Sequence, residues 1–174
     1  MIRRRILFIG DSLIAFFDWQ ARFPGHEICN LGVGGETVEG LLARVGEIVR
    51  NRRSPDFIFV MVGINNIAMQ EVEISVPYRE VIEKLSGAYP RARIYIHSIL
   101  PTMLEWIPNE SIRCVNSSLQ AIAAQTTARY LNLYEQFIDP GSGPVKRLFL
   151  SDGIHLSSEG YDVWSERLEE ISSG

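Results

Sequence analysis

Short apolar stretches recur at intervals along the chain, at residues 6–9, 57–62, 94–99 and, more weakly, 130–133, with a shorter fifth stretch at residues 27–31. They are rich in β-branched or other apolar residues and show little alternation with polar ones. Strands of this composition are typical of a parallel sheet that is covered by helices on both faces. The pattern therefore predicts a buried parallel sheet of about five strands.

The segments between these stretches carry the periodicity of helices. In residues 38–49 the apolar side chains recur at helical spacing, at Val38, Leu41, Leu42, Val45, Ile48 and Val49. Less regular stripes occur in residues 72–85, 112–124 and 160–171. Alternating strands and helices predict a three-layer α/β/α sandwich of the flavodoxin-like type, in which ligands bind beyond the carboxyl ends of the strands.

Composition and charge narrow the class of protein. With 174 residues and 46% hydrophobic residues, we expect one domain spanning residues 1–174. A net charge of -4 and a pI of about 5.4 argue against nucleic acid or an anionic membrane as a partner. The apolar run after residues 3–5 is too short for a signal peptide or a membrane span. We therefore expect a cytoplasmic protein without a membrane span, and a homo-oligomer remains possible.

The cysteines and two of the histidines give no sign of a metal site. Cys29 and Cys114 lie in apolar-leaning segments without Cys-x-x-Cys spacing, which favours reduced, packed thiols over a disulfide. His26 and His97 have no metal-ligand spacing. We interpret His26 as a surface residue and His97 as part of the fourth strand.

A serine follows the first predicted strand, in the segment Gly10-Asp11-Ser12-Leu13. A hydroxyl at a strand-to-helix turn can act as a nucleophile, because backbone N–H groups of the next helix point outward there. Serine is also a common helix N-cap, and the tetrapeptide alone favours neither interpretation.

An aspartate and a histidine lie close together near the carboxyl end, in Asp152-Gly153-Ile154-His155. An aspartate three residues before a histidine can accept the Nδ1 proton and leave Nε2 free to deprotonate a serine. The alternative is a surface Asp and His at a helix entrance, for which this spacing is unremarkable.

Two further segments follow predicted strands. Residues 30–37 contain three glycines, at positions 32, 34 and 35, and could present a backbone N–H to an oxyanion. The segment lacks the spacing of a dinucleotide site and the lysine of a P-loop, although a plain turn remains possible. Asn65 could donate its side-chain amide to a developing negative charge, or it could be a turn residue.

These four segments, in their order along the chain and over nearly its whole length, resemble the SGNH hydrolase superfamily, also called the G-D-S-L esterases and lipases. The resemblance implies that Ser12 is the nucleophile and His155 the base, with Asp152 orienting it. It also implies an oxyanion hole made by the backbone N–H groups of Ser12 and Gly35 and the amide of Asn65.

Two details of the resemblance concern single positions. We choose Gly35 over Gly34 because the family's glycine directly precedes an acidic residue and a Thr or Ser, here Glu36-Thr37. In the family, the segment that contains the asparagine of the oxyanion hole usually reads Gly-x-Asn-Asp. This chain has Gly63-Ile64-Asn65-Asn66, with Asn66 in place of the Asp. We interpret this difference as a local adjustment of the loop.

The resemblance implies hydrolysis of a carboxylic ester through an acyl-enzyme, without metal or cofactor. The open site suits a small-molecule ester with a short acyl or acetyl group, although lipases, thioesterases, arylesterases and carbohydrate deacetylases all occur in the family. Residues 103–108 could line an acyl pocket, pack on the core or form a dimer contact. The alternative function is a catalytically inactive flavodoxin-like binding module.

Overall fold

The computed structural model describes residues 2–51 and 53–172, and in this part of the chain the main sheet has five parallel strands in the order β2-β1-β3-β4-β5. The strands are β1 (Arg5–Gly10), β2 (Glu27–Gly32), β3 (Phe57–Met61), β4 (Arg93–His97) and β5 (Arg129–Leu131). This order confirms the predicted flavodoxin-like sheet. Its direction of winding reverses between β1 and β3, where ligands bind in folds of this kind.

Helices cover both faces of the sheet, as predicted. They are α1 (Ser12–Ala15), α2 (Trp19–Arg22), α3 (Val38–Asn51), α4 (Ile64–Ala68), α5 (Ser75–Ala88), α6 (Asn109–Gln125) and α7 (Ser158–Ser172). A small hairpin of β6 (Ile138–Asp139) and β7 (Gly143–Pro144) lies between two 3₁₀ turns, Tyr134–Phe137 and Lys146–Leu148. No helix of the described residues is long and apolar enough to cross a membrane.

Alternate side chains of the central strands point into two separate cores. Leu7 and Ile9 of β1 pack into one core together with the apolar faces of α3, α5 and α6. Phe8, between them, points to the opposite core, where it stacks on Trp19 with 4.1 Å between ring centroids. The strands are therefore buried on both faces, which explains their continuous apolar sequence.

The second predicted helix begins later than the sequence pattern indicated. The pattern predicts residues 72–85, whereas α5 spans Ser75–Ala88. Pro77 lies in the first turn of α5, where backbone N–H groups have no intrahelical acceptor. The missing N–H of proline therefore costs no hydrogen bond there, which favours a helix start near this position.

Two interpretations of single residues were wrong. His26 is buried, and its Nδ1 accepts a hydrogen bond from the backbone N–H of Arg4 at 3.2 Å. Cys114 is exposed on α6 rather than packed, whereas Cys29 is half-buried. His97 ends β4 as predicted, and its complete burial lowers its pKa to about 3, so that the imidazole is neutral.

Candidate active site

Ser12 is the first residue of α1. A single residue, Asp11, separates it from the end of β1 at Gly10. Asp11 is the N-cap: its Oδ1 accepts the backbone N–H of Leu13 at 3.0 Å. The hydroxyl of Ser12 is thus not needed to cap the helix. Gly10 makes the turn possible, because a Cβ at this position would lie 1.8 Å from the carbonyl oxygen of Met61.

The hydroxyl of Ser12 begins a chain of hydrogen bonds to the segment before α7. Its Oγ lies 3.0 Å from Nε2 of His155, and Nδ1 of His155 lies 2.8 Å from Oδ2 of Asp152. The other oxygen of Asp152 accepts the backbone N–H groups of Ile154 at 3.0 Å and His155 at 2.9 Å. The fold therefore brings together three residues that the sequence separates by up to 143 positions.

The hydrogen bonds of Asp152 keep it ionised. Desolvation alone would raise its pKa, but the bonds from Ile154 and His155 outweigh that effect and lower the pKa below the usual value. A carboxylate at this position favours the tautomer of His155 that carries its proton on Nδ1. Nε2 is then an acceptor facing the serine hydroxyl.

Side chains from outside α1 fix this short helix. The carbonyl oxygen of Leu13 accepts the hydroxyl of Tyr161 at 2.9 Å, and that of Ile14 accepts Nε1 of Trp19 and Nδ2 of Asn30, both at 2.9 Å. A helix of four residues is not stable by itself, so these contacts hold Ser12 in place. Tyr161 lies in α7, which follows His155, and this helix thereby links the two halves of the site.

The glycine-rich segment after β2 forms a tight turn beside Gly10. Val33 donates its N–H to the carbonyl oxygen of Gly10 at 2.8 Å and accepts the N–H of Glu36 at 3.2 Å. Gly35, the third residue of this turn, has φ 76°, a conformation that favours glycine. Nothing lies within 4 Å of a Cβ added at Gly35, so the requirement is conformational rather than steric.

Two backbone donors at this edge of the sheet are unused. Among the described residues, no hydrogen-bond acceptor is found for the N–H of Ser12 or for the N–H of Gly35. Gly35 is also exposed. Both groups are therefore available to an anion or to the oxygen of a substrate.

Asn65 and Glu36 connect the glycine turn to α4. Nδ2 of Asn65 donates to the backbone oxygen of Glu36 at 2.9 Å, which leaves its second hydrogen for another acceptor. The carboxylate of Glu36 is buried and pairs with the guanidinium of Arg44, whose Nε lies 2.8 Å from Oε1. Arg44 also donates to the carbonyl oxygen of Leu31 at 2.7 Å, so it ties the turn to the end of β2.

Asn66 is completely buried and bridges α4 and α3. Its Oδ1 accepts the backbone N–H of Val38 at 2.9 Å, and its Nδ2 donates to Oε2 of Glu39 at 2.7 Å. An aspartate could accept from Val38 in the same way, but it would face the carboxylate of Glu39. Asparagine at position 66 thus complements Glu39, which explains the departure from the Gly-x-Asn-Asp pattern.

Replacing Asn66 by aspartate is expected to lower the free energy of unfolding at pH 8 by about 1–2 kcal/mol, because two carboxylates would replace a donor–acceptor pair. Urea unfolding at pH 8 measures the change. The double variant Asn66→Asp/Glu39→Gln should recover most of the loss, since the glutamine amide can donate to Asp. Equal stability of the wild type and the single variant would contradict this explanation.

Asp11 is a second buried carboxyl group beside Ser12. Burial raises its pKa to about 7, the N–H of Leu13 offsets part of that effect, and the charge of Glu36 adds to the increase. Within the described part of the chain, its Oδ2 has no hydrogen-bond partner. Ionisation of Asp11 is therefore unfavourable in the folded protein.

The variant Asp11→Asn is expected to gain stability relative to the wild type as the pH rises. A carboxyl whose folded pKa is raised stabilises the fold fully below its unfolded pKa of 3.8, and this contribution is lost as the pH rises to about 7. Asparagine keeps the acceptor for Leu13 but does not titrate. Urea unfolding of both proteins between pH 4 and pH 8 should show that the free energy of unfolding of Asp11→Asn rises relative to that of the wild type as the pH increases, by at most about 4 kcal/mol. The same pH dependence of the free energy of unfolding in both proteins would contradict the expectation.

The segment of residues 103–108 packs on the core, which is one of the three roles considered for it, whereas a part in an acyl pocket or in a dimer contact stays a prediction. Ile107 is buried in the core, whereas Trp106 is 64% exposed. Met103, which is 38% exposed, donates its N–H to the carbonyl oxygen of Gly153 at 2.8 Å, beside the His155 turn. The segment therefore packs on the core at one point and borders the candidate active site at another.

A serine hydroxyl bonded to a histidine, which is bonded in turn to an aspartate, stands here at the carboxyl edge of a flavodoxin-like sheet. This combination of fold and site defines the class of SGNH-type hydrolases. The chain belongs to the GDSL-like lipase/acylhydrolase family, whose model matches residues 8–163. The family resemblance stated from the sequence motifs is thus confirmed, and it supports an activity as a hydrolase.

Individual relatives agree with this assignment. The chain is 27% identical over 164 residues to human platelet-activating factor acetylhydrolase IB subunit alpha1, covering 90% of this chain and 70% of that protein. It is also similar to a solved structure from Streptococcus pneumonia named for platelet-activating factor, with a TM-score of 0.88, 27% identity and coverage of 98% and 84%. An acetyl-xylooligosaccharide esterase from Geobacillus Stearmophilus has the same fold, with a TM-score of 0.73, 17% identity and coverage of 96% and 93%.

Proposed function

We propose that the protein is a serine esterase that cleaves a carboxylic ester with a short acyl or acetyl group through an acyl-enzyme on Ser12. The observation that carries this proposal is the continuous hydrogen-bond chain from Ser12 through His155 to Asp152, with distances of 3.0 and 2.8 Å. This is the arrangement that activates a serine by a neighbouring base.

In the first step, Nε2 of His155 takes the proton of the Ser12 hydroxyl while Oγ forms a bond to the ester carbonyl carbon. The carbonyl electron pair moves onto oxygen, and the unused N–H groups of Ser12 and Gly35, with the amide of Asn65, stabilise that charge. The tetrahedral intermediate then breaks its bond to the alcohol oxygen, which takes the proton from His155. Water repeats the sequence on the acyl-enzyme, releasing the acid and regenerating Ser12.

The preference for a short acyl group is supported by the setting of the site. Gly34 and Gly35 are exposed and have no side chains, so the glycine turn offers no surface that could enclose a long acyl chain. The relative at 27% identity is named an acetylhydrolase. A substrate with an acetyl group on an alcohol fits both observations.

The first experiment is hydrolysis of p-nitrophenyl acetate and p-nitrophenyl butyrate by the purified protein, together with labelling by a fluorophosphonate. We expect turnover that is faster with the acetate, and one label per chain on the peptide that contains Ser12. The label should not appear after denaturation, because an unfolded serine has no neighbouring base. If the folded protein hydrolyses no ester in a broad acyl panel and takes up no label, the result favours the alternative function, a catalytically inactive flavodoxin-like binding module.

A further inference from the structure

The side chain of Phe16 lies at the mouth of the candidate active site and is 67% exposed. Its neighbour Phe17 has an evident structural role: the ring is half-buried and stacks on Tyr161 with 4.1 Å between centroids. Phe16 has no comparable place in either core. An exposed aromatic ring that the fold holds beside a reactive group is typical of a binding surface.

The position of the Phe16 ring is defined from two sides. Its centroid lies 5.5 Å from that of the His155 imidazole, with 36° between the planes. On the other side, Cζ of Phe16 lies 3.4 Å from the place that a Cβ on Gly34 would occupy. The backbone N–H of Phe16 donates to the carbonyl oxygen of Ser12 at 3.0 Å, which fixes the residue one turn after the serine. The ring thus lies between the imidazole and the glycine turn.

The proposed reaction determines which part of an ester comes near this ring. In the tetrahedral intermediate, Oγ of Ser12 is bonded to the former carbonyl carbon, and the oxyanion faces the N–H groups of Ser12 and Gly35. The alcohol oxygen must lie within hydrogen-bond reach of Nε2 of His155 to receive its proton. The alcohol group therefore projects from a point beside the imidazole, and the acyl chain leaves in another direction.

We propose that Phe16 binds the apolar alcohol portion of the ester and thereby determines which leaving groups the enzyme prefers. This inference rests on the proposed esterase function and adds a specificity-determining residue to it. The ring offers dispersion contacts and exclusion of water to an aryl or alkyl group, and it offers nothing comparable to a methyl group.

The test uses esters that change one part at a time. Methyl acetate and benzyl acetate share the acyl group and have alcohols of similar acidity, whereas methyl acetate and methyl butyrate share the alcohol. In Phe16→Ala, the ratio of kcat/KM for benzyl acetate to that for methyl acetate should fall about tenfold, and Phe16→Leu should lose less. The ratio of methyl butyrate to methyl acetate should change by less than about twofold.

Phe17→Ala serves as the matched control, because it removes a neighbouring ring that packs on the core. It should lower Tm and leave both ratios as in the wild type. An unchanged benzyl-to-methyl ratio in Phe16→Ala, or a fall in the butyrate-to-acetate ratio instead, would overturn the assignment of Phe16 to the alcohol group. Such a result, with an active wild type, contradicts only this inference. A wild type that hydrolyses none of the esters contradicts the proposed function and the inference with it.

Discussion

Replacing Ser12 by alanine is expected to lower kcat for p-nitrophenyl acetate by about 10⁴-fold or more. The variant loses the oxygen that lies 3.0 Å from Nε2 of His155, so the base has no nucleophile to deprotonate. The fold should be unaffected, because Asp11 rather than Ser12 caps α1. Steady-state kinetics measure the loss, while circular dichroism and Tm check the fold.

The control for this variant concerns other nucleophiles on the protein. p-Nitrophenyl acetate is a reactive ester, and the exposed thiol of Cys114 could be acetylated by it without true turnover. The comparison is therefore made in a Cys114→Ser background and repeated with an alkyl acetate, which is much less reactive. A Ser12→Ala protein that retains more than about a tenth of the turnover in both assays would contradict the role of Ser12.

The sequence carries the fold in its hydrophobic pattern and most of the site in short local motifs. Residues 57–62 predicted β3 because apolar side chains on both faces of a strand leave no polar alternation. The segment after β1 predicted that Ser12 lies at the carboxyl edge of the sheet, because parallel strands present their carboxyl ends at one edge. That His155, which precedes α7, would meet it was implied by the family resemblance. The tetrapeptide around Ser12 alone left a helix cap and a nucleophile equally open, and the other three motifs favoured the nucleophile. The structure adds that Asp11 is the N-cap of α1.

Contacts between distant segments could not be predicted from one sequence. Tyr161 reaches the carbonyl oxygen of Leu13 across 148 positions, and no local pattern marks a tyrosine of α7 for that purpose. Arg44 resembles any solvated arginine of an amphipathic helix, although it holds the buried carboxylate of Glu36. His26 was misinterpreted for the same reason, since its partner is a backbone group 22 residues away.

Replacing Asp152 by asparagine is expected to lower kcat by about 10³- to 10⁴-fold while leaving KM and Tm close to the wild-type values. The backbone N–H groups of Ile154 and His155 already donate to Oδ1 of Asp152, so the asparagine oxygen should occupy that position. The amide nitrogen would then face Nδ1 of His155, where it can only donate. The imidazole would have to carry its proton on Nε2 and could no longer accept the proton of Ser12.

A matched control separates this tautomer effect from the loss of a negative charge. Asp162 is exposed on α7, and Asp162→Asn makes the same chemical change without a bond to His155. That variant should retain the kcat of the wild type. Nearly wild-type turnover in Asp152→Asn would show that His155 does not depend on this carboxylate. A large fall in Tm together with kcat would mean that Asp152 acts by shaping the turn before α7, whereas a loss confined to kcat identifies it as the residue that sets the protonation of His155.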